Sequence, residues 1–190
     1  MDADKRTAIL IGVWQVIASG GIAAVSFRSV ATASGVSAGR VQYYFPTKTE
    51  LVRASVHALL DAAQQAYPDA LGVPDDPATL WTLLTHSFTP AADSRAGTAV
   101  YFSYVAASVG DPWIARTLAE ARSAVVEHVG RCLIARYPTL TDHKARAREL
   151  VMTSEGATQA VFLGWATPDQ AYATITRALD HARKTPRTDT

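Results

Sequence analysis

A single cysteine, Cys132, stands in the 190 residues, so no disulfide can form within the chain. A lone thiol in a chain of this length points to a reducing compartment, the cytoplasm, and to a buried side chain rather than to redox chemistry. The five histidines (His57, His86, His128, His143 and His181) are scattered, and none falls in a metal-ligand spacing with that cysteine, so neither metal nor cofactor is called for. No apolar run approaches the roughly 20 residues needed to cross a bilayer. The stretch Ala8 to Ala18, behind Lys5 and Arg6, superficially matches a signal peptide. Against that reading, Asp2 and Asp4 are acidic, Gln15 interrupts the run, and Ile9, Val13, Val16 and Ile17 follow helical spacing. Excess charge of one sign is also missing, because the net charge is only +1. Alternating strand patterns and internal repeats are absent too.

What is present is a helical pattern with clear punctuation. Nearly half of the residues, 48%, are hydrophobic, enough to build a core in one large domain or in a small domain joined to a medium one. Residues 1–53 carry six basic against three acidic side chains, while the remainder carries twelve against fourteen, so the positive end is the N-terminal one. The first helix is expected from about Asp4 to Ser19, ending at Gly20-Gly21. Ser26 caps a short helix to Ser34, Gly35-Val36-Ser37 is a tight turn, and a second short helix reaches Tyr44 before Pro46 stops it. Thr47 and Glu50 form a T-x-x-E box opening a long helix from Lys48 to about Tyr67. The proline-, aspartate- and glycine-rich stretch from Pro68 to Pro77 reads as a loop. Further helices are expected over Ala78–Phe88, Arg95–Val109, Pro112–Tyr137 (capped by Asp111), Asp142–Leu163 and Pro168–Lys184 (opened by Thr167 and Gln170), with a frayed tail from Thr185. The expected class is all-α, with roughly nine helices.

Two short helices joined by a glycine turn form a helix-turn-helix, whose second helix enters the major groove of DNA. Val30 and Ala31 can pack against Val36 and Val41 across the turn, and Gly35 tolerates a positive φ there. Ser37 can cap the second helix. The small Ala38 and Gly39 let the backbone approach DNA, leaving Arg40 and Gln42 to reach base edges. Phe45 is expected in the core, with at least one of Tyr43 and Tyr44 exposed. Lys48, in the first turn of a helix, opposes the macrodipole, and a nearby anion such as a phosphate would reconcile it.

The blocks Ser26-Phe27-Arg28-Ser29-Val30-Ala31, Ser34-Gly35-Val36-Ser37 and Val41-Gln42-Tyr43-Tyr44-Phe45-Pro46-Thr47-Lys48-Thr49-Glu50-Leu51 sit in register. Together they resemble the TetR family of transcriptional repressors from about Ile9 to Leu51. The family usually has Leu-Tyr where this chain has Val41-Gln42. The resemblance implies that Tyr43, Tyr44 and Lys48 hold phosphates and that Ala38, Gly39, Arg40 and Gln42 face the groove. Ser26, Arg28 and Ser37 complete the expected DNA-binding set. It also implies a DNA-binding domain over residues 1–47 and a helical ligand-binding and dimerisation domain over 48–190. The stretch Thr153 to Arg183 is faintly similar to the C-terminal helices of choline-responsive members, from which no ligand is inferred.

Two other readings compete. Gly35-Val36-Ser37-Ala38-Gly39 matches G-x-S-x-G, the nucleophile elbow of serine hydrolases, but that motif needs a preceding strand, and Phe27 to Ser34 reads as helix. A constitutive DNA-binding protein without an effector is the second. Against it stand the long helical remainder and its aromatics. Trp81, Phe88, Tyr101, Tyr104 and Trp113 are the expected lining of a pocket for a small, largely apolar effector, although core packing would account for each of them. A homodimer is expected through Leu150, Ser154, Ala157 and Val161 on one helix and Ile175 and Leu179 on the last. That implies a palindromic operator in double-stranded DNA. No membrane contact is expected.

Overall fold

The computed structural model describes residues 2–66, 74, 76–89 and 94–184. These form nine α-helices and no strand: α1 (Asp2–Gly20), α2 (Phe27–Ser34), α3 (Ala38–Tyr44), α4 (Lys48–Ala66), α5 (Pro77–Thr85), α6 (Ser94–Ala107), α7 (Pro112–Arg136), α8 (His143–Leu163) and α9 (Pro168–Lys184). Single 3-10 turns occupy Ile22–Ala24 and His86–Phe88. Most of the expected loop at 68–77 and the tail from 185 lie outside the described residues.

Local chemistry sets the helix starts. The Ser26 hydroxyl accepts from the Ser29 amide while the Ser29 hydroxyl accepts from the Ser26 amide, a reciprocal cap that satisfies two otherwise orphaned donors. Thr47 Oγ1 accepts from the Glu50 amide, Asp76 from that of Ala78 and Asp111 from that of Trp113. At α9, Thr167 and Gln170 close a full capping box. Gly35 ends α2 at φ 67°, a left-handed conformation that costs a residue with a Cβ about 1–2 kcal/mol.

The segment expected as one helix from Ala78 to Phe88 is α5 followed by a tighter turn. Where α5 ends, the Ser154 hydroxyl of α8 donates to the Leu84 carbonyl at 2.7 Å.

The chain divides into two compact units, Met1–Ala63 with Ala96–Leu118, and Gln64–Arg95 with Ala119–Thr190. The first unit closes around Ile9, Val13, Val30, Val41, Leu51, Val56, Tyr104 and Ile114, all 2% exposed or less. The second closes around Leu84, Val129, Leu133, Leu150 and Ile175, likewise buried, with Cys132 among them. Burial pushes the Cys132 thiol above its ordinary pKa, so it is an inert core group. Helices α4 and α7 are continuous in sequence from one unit into the other. No helix among the described residues is long and apolar enough to cross a membrane.

Candidate nucleic-acid interface

Helix α3 has only two buried side chains to anchor it, counting its C-cap. Val41 is fully buried and Phe45 is 3% exposed, four residues apart on one face; both join Val30 and Ala31 of α2 in the first core. Everything else on α3 up to Tyr43 points outward: Ala38, Gly39, Arg40 and Gln42 are exposed, and Tyr43 is 75% exposed. The helix therefore presents a polar surface whose first turn is almost free of side-chain bulk. Ser37 Oγ accepts from the Arg40 amide at 3.2 Å, which fixes where that turn begins. Tyr44 is half-buried and meets Tyr43 edge to face, with ring centroids 5.4 Å apart, so its packing steers the exposed ring.

The remaining predicted DNA-facing residues, Ser26, Arg28 and Lys48, are exposed on the same compact unit. Lys48 opens α4, so its cationic side chain stands at the positive end of that helix's dipole. The serine in Gly35-Val36-Ser37-Ala38-Gly39 follows helix α2, not a strand, and caps α3, so the strand-turn-helix elbow of a hydrolase is not formed.

Supports of this surface that the sequence does not announce come from distant residues. Gly12 of α1 lies so close to α2 that a Cβ there would meet Ser34 Cβ at 2.9 Å. Arg6 of α1 lies over the Phe45 ring at 5.3 Å. On α4, Ser55 is fully buried: its hydroxyl donates to the Val52 carbonyl at 2.7 Å, so Tyr104 Oη donates to Ser55 Oγ at 2.6 Å. The Trp14 indole donates to the Ser55 carbonyl at 3.1 Å, which ties α1, α4 and α6 at one buried point. Burial pushes the Tyr104 hydroxyl up to about 12, so it stays a donor at neutral pH.

Farther along α4, Arg53 grips Asp111 with two bonds, Nε to Oδ2 at 3.1 Å and Nη2 to Oδ1 at 2.9 Å. Its guanidinium also lies 5.2 Å over the Trp113 ring, which meets His57 edge-on. The Arg53 hydrogen bonds hold the Asp111 carboxyl below its ordinary range, helped by the Trp113 amide.

The five aromatics expected to line one pocket are divided between the units. Tyr104 is fully buried in the first core, where its hydroxyl is bonded to Ser55. Tyr101 is half-buried against Phe102, and Trp113 lines a cleft of about 400 Å³ with Arg6, Glu50, Arg53, His57 and Asp61. In the second unit, Trp81 stacks on Tyr172 at 5.8 Å and Phe88 meets the same ring at 5.3 Å. Of the residues expected at a dimer interface, Leu150, Ala157 and Ile175 are buried in the second core, Val161 and Leu179 are half-buried against it, and Ser154 bonds to Leu84. A helix stripe of small and apolar residues reads the same whether its partner lies in the same chain or in another copy, and here Leu150, Ala157 and Ile175 pack within the same chain.

The fold recurs among known proteins. Residues 9–55 match the family model described as bacterial regulatory proteins, tetR family. No curated protein sequence matches the chain. Among solved structures, a protein from Rhodococcus sp. described as a TetR-family transcriptional regulator superposes with a TM-score of 0.83 at 21% identity, over 95% of this chain and 100% of that one. A TetR transcription regulator from Haloarcula marismortui ATCC 43049 gives 0.81 at 17%, over 95% and 97%. A protein from Saccharomonospora viridis, described as a transcriptional regulator and solved in complex with choline, gives 0.82 at 19%, over 94% and 97%.

Proposed function

From a chain whose residues 9–55 match the model of the tetR family of bacterial regulatory proteins, we infer a homodimeric repressor that binds a palindromic operator and leaves it when a small, largely apolar molecule binds. The observation that carries this reading is the outward face of α3: an unobstructed first turn followed by Arg40, Gln42 and Tyr43, on a helix anchored from behind by Val41 and Phe45. Arginine reads guanine bidentately in the major groove, and glutamine reads adenine the same way. Lys48 and the tyrosines hold the backbone on either side, which sets position rather than sequence.

A second copy docks on the outer face of α8. Met152, Gly156, Gln159 and Leu163 recur at helical spacing and all are exposed, Met152 and Leu163 at 64% each, with Trp165 at 74% just beyond the helix end. No side chain or backbone crowds the position of a Cβ on Gly156, so a partner helix can come close there. Two copies related by a two-fold axis present two α3 helices, and the operator repeats that symmetry.

Release follows if the effector prefers the conformation that does not fit DNA, since equal affinity for both states shifts nothing. A coupling of about 1–3 kcal/mol lowers operator affinity roughly 5- to 150-fold. Helix α4, which starts beside the recognition helix, is the element through which the shift would travel. That the Saccharomonospora viridis protein holds choline supports ligand binding within this fold. The cytoplasm is the compartment that fits such a protein. The test is to recover the preferred duplex from random DNA and then to screen compounds for its release. A preferred duplex that no compound releases leaves only a constitutive DNA-binding protein.

A further inference from the structure

A cleft of about 320 Å³ opens in the second unit between α5, the end of α7 and α9, lined by Pro77, Leu80, Trp81, Arg136, Tyr137, Thr176, Leu179 and Asp180. That is the small end of the range for small-molecule sites, about 300–1,000 Å³. Its floor is aliphatic, from Leu80 and Leu179. One wall is already stiff: Trp81 stacks on Tyr172 at an interplanar angle of 29°, and Phe88 backs Tyr172, so the indole is set before any ligand arrives. Trp81 nevertheless keeps 37% of its surface exposed, the kind of aromatic face a flat apolar body covers.

The polar group that sets this cleft apart is Arg136. Its guanidinium lies 5.8 Å over the Tyr137 ring, and Nε donates to Tyr137 Oη at 3.2 Å. Among the described residues no carboxylate pairs with it. An arginine in the last turn of α7 also complements the helix dipole, but any solvated cation would do that. Arg136 also lines this cleft, where Nε is bonded to Tyr137 and no carboxylate takes its other donors. A planar, bidentate donor beside an aromatic wall matches a carboxylate attached to an apolar body.

We propose that this cleft binds a small organic monocarboxylate with an aromatic or branched apolar body, the carboxylate on Arg136 and the body between Trp81, Leu80 and Leu179. The proposal rests on the effector-released repressor reading and names the effector's chemistry and seat. Asp180, on the same rim, repels each negative charge a ligand brings; Arg136 offsets one, so monoanions are favoured over dianions.

The test uses 3-phenylpropionate, its amide, the amine of matching length and phenylsuccinate as probes, with the 190-residue chain. Wild type should show a saturable change in tryptophan emission and a calorimetric signal with the carboxylate, and weaker binding of the amide and of phenylsuccinate. Trp81→Phe should lose the emission change, and Arg136→Gln should weaken the carboxylate about tenfold or more without altering the amide or the melting temperature. Equal binding of acid and amide, preference for the amine, or no saturable signal overturns the site. Operator binding of the ligand-free protein is measured separately on the selected duplex. If it is intact while no probe binds, the site falls and the DNA-binding reading stands. If the carboxylate binds and operator affinity does not move, the cleft is a binding site but not the trigger, which overturns its role as the effector seat.

Discussion

A methyl group on Gly12 would sit 2.9 Å from Ser34 Cβ and 3.2 Å from the backbone of α2, so the glycine sets how closely α1 and α2 approach. Replacing it with alanine gains helix propensity but forces the two helices apart, and overpacking of this kind costs about 1–3 kcal/mol. Gly12→Ala should therefore lower the melting temperature despite alanine's intrinsic preference for helix. A raised melting temperature would show that the contact is loose. On DNA, the residues divide by role. Arg40→Ala should cost about 1–3 kcal/mol on the preferred duplex and relax the choice of base at one position per half-site. Lys48→Ala should weaken all duplexes alike and flatten the dependence on salt, because it removes a phosphate contact. Binding isotherms at two salt concentrations separate the two; identical, sequence-independent losses would remove Arg40 from the recognition role.

The elements themselves were largely legible, because their boundaries depend on neighbours in sequence. Ser26, Ser37, Thr47, Asp111 and Thr167 are capping residues within three positions of the amides they satisfy, so each helix start is a local matter. What joins the elements was not legible. Asp111 reads correctly as the cap of α7, yet nothing in the sequence couples it to Arg53, 58 residues away. The bond from Ser154 to the Leu84 carbonyl at the end of α5 likewise joins residues 70 apart. At this scale the Arg53–Asp111 pair makes a pH prediction. The Asp111 carboxyl is held below its ordinary value when folded, so its contribution to stability is full above the usual carboxylate range and disappears as pH falls through the depressed value. Asp111→Asn keeps a capping side chain and removes the ion pair. The gap in melting temperature between the two proteins should be widest near neutral pH and close in acid. A gap that persists unchanged in strong acid would mean the pair contributes nothing through charge.

For the whole molecule, the sequence showed which helices carry apolar stripes but not which of them turn inward. Leu150, Ala157 and Ile175 are consumed by the chain's own core, while Met152, Gly156 and Leu163 on the opposite side of α8 stay exposed. Both sets have helical spacing, and only packing separates them. If the exposed set holds the dimer, wild type should scatter light at micromolar concentration as twice the 20.3 kDa chain. Gly156→Glu, which meets nothing within its own chain, should place like charges across the two-fold axis and yield monomers with their helix content intact. A dimer that survives this change would move the interface elsewhere.

Selection of bound duplexes from a random pool, run side by side with wild type and Arg40→Ala, tests the central claim most directly. Two recognition helices on one symmetric molecule should enrich an inverted repeat whose half-sites are spaced by whole turns of the duplex, about 10–10.5 base pairs or a multiple. The Arg40→Ala pool should lose information at the same position in both half-sites. A wild-type pool that enriches no motif, at a salt concentration where non-specific binding is already weak, would contradict the assignment of α3 as a reading helix.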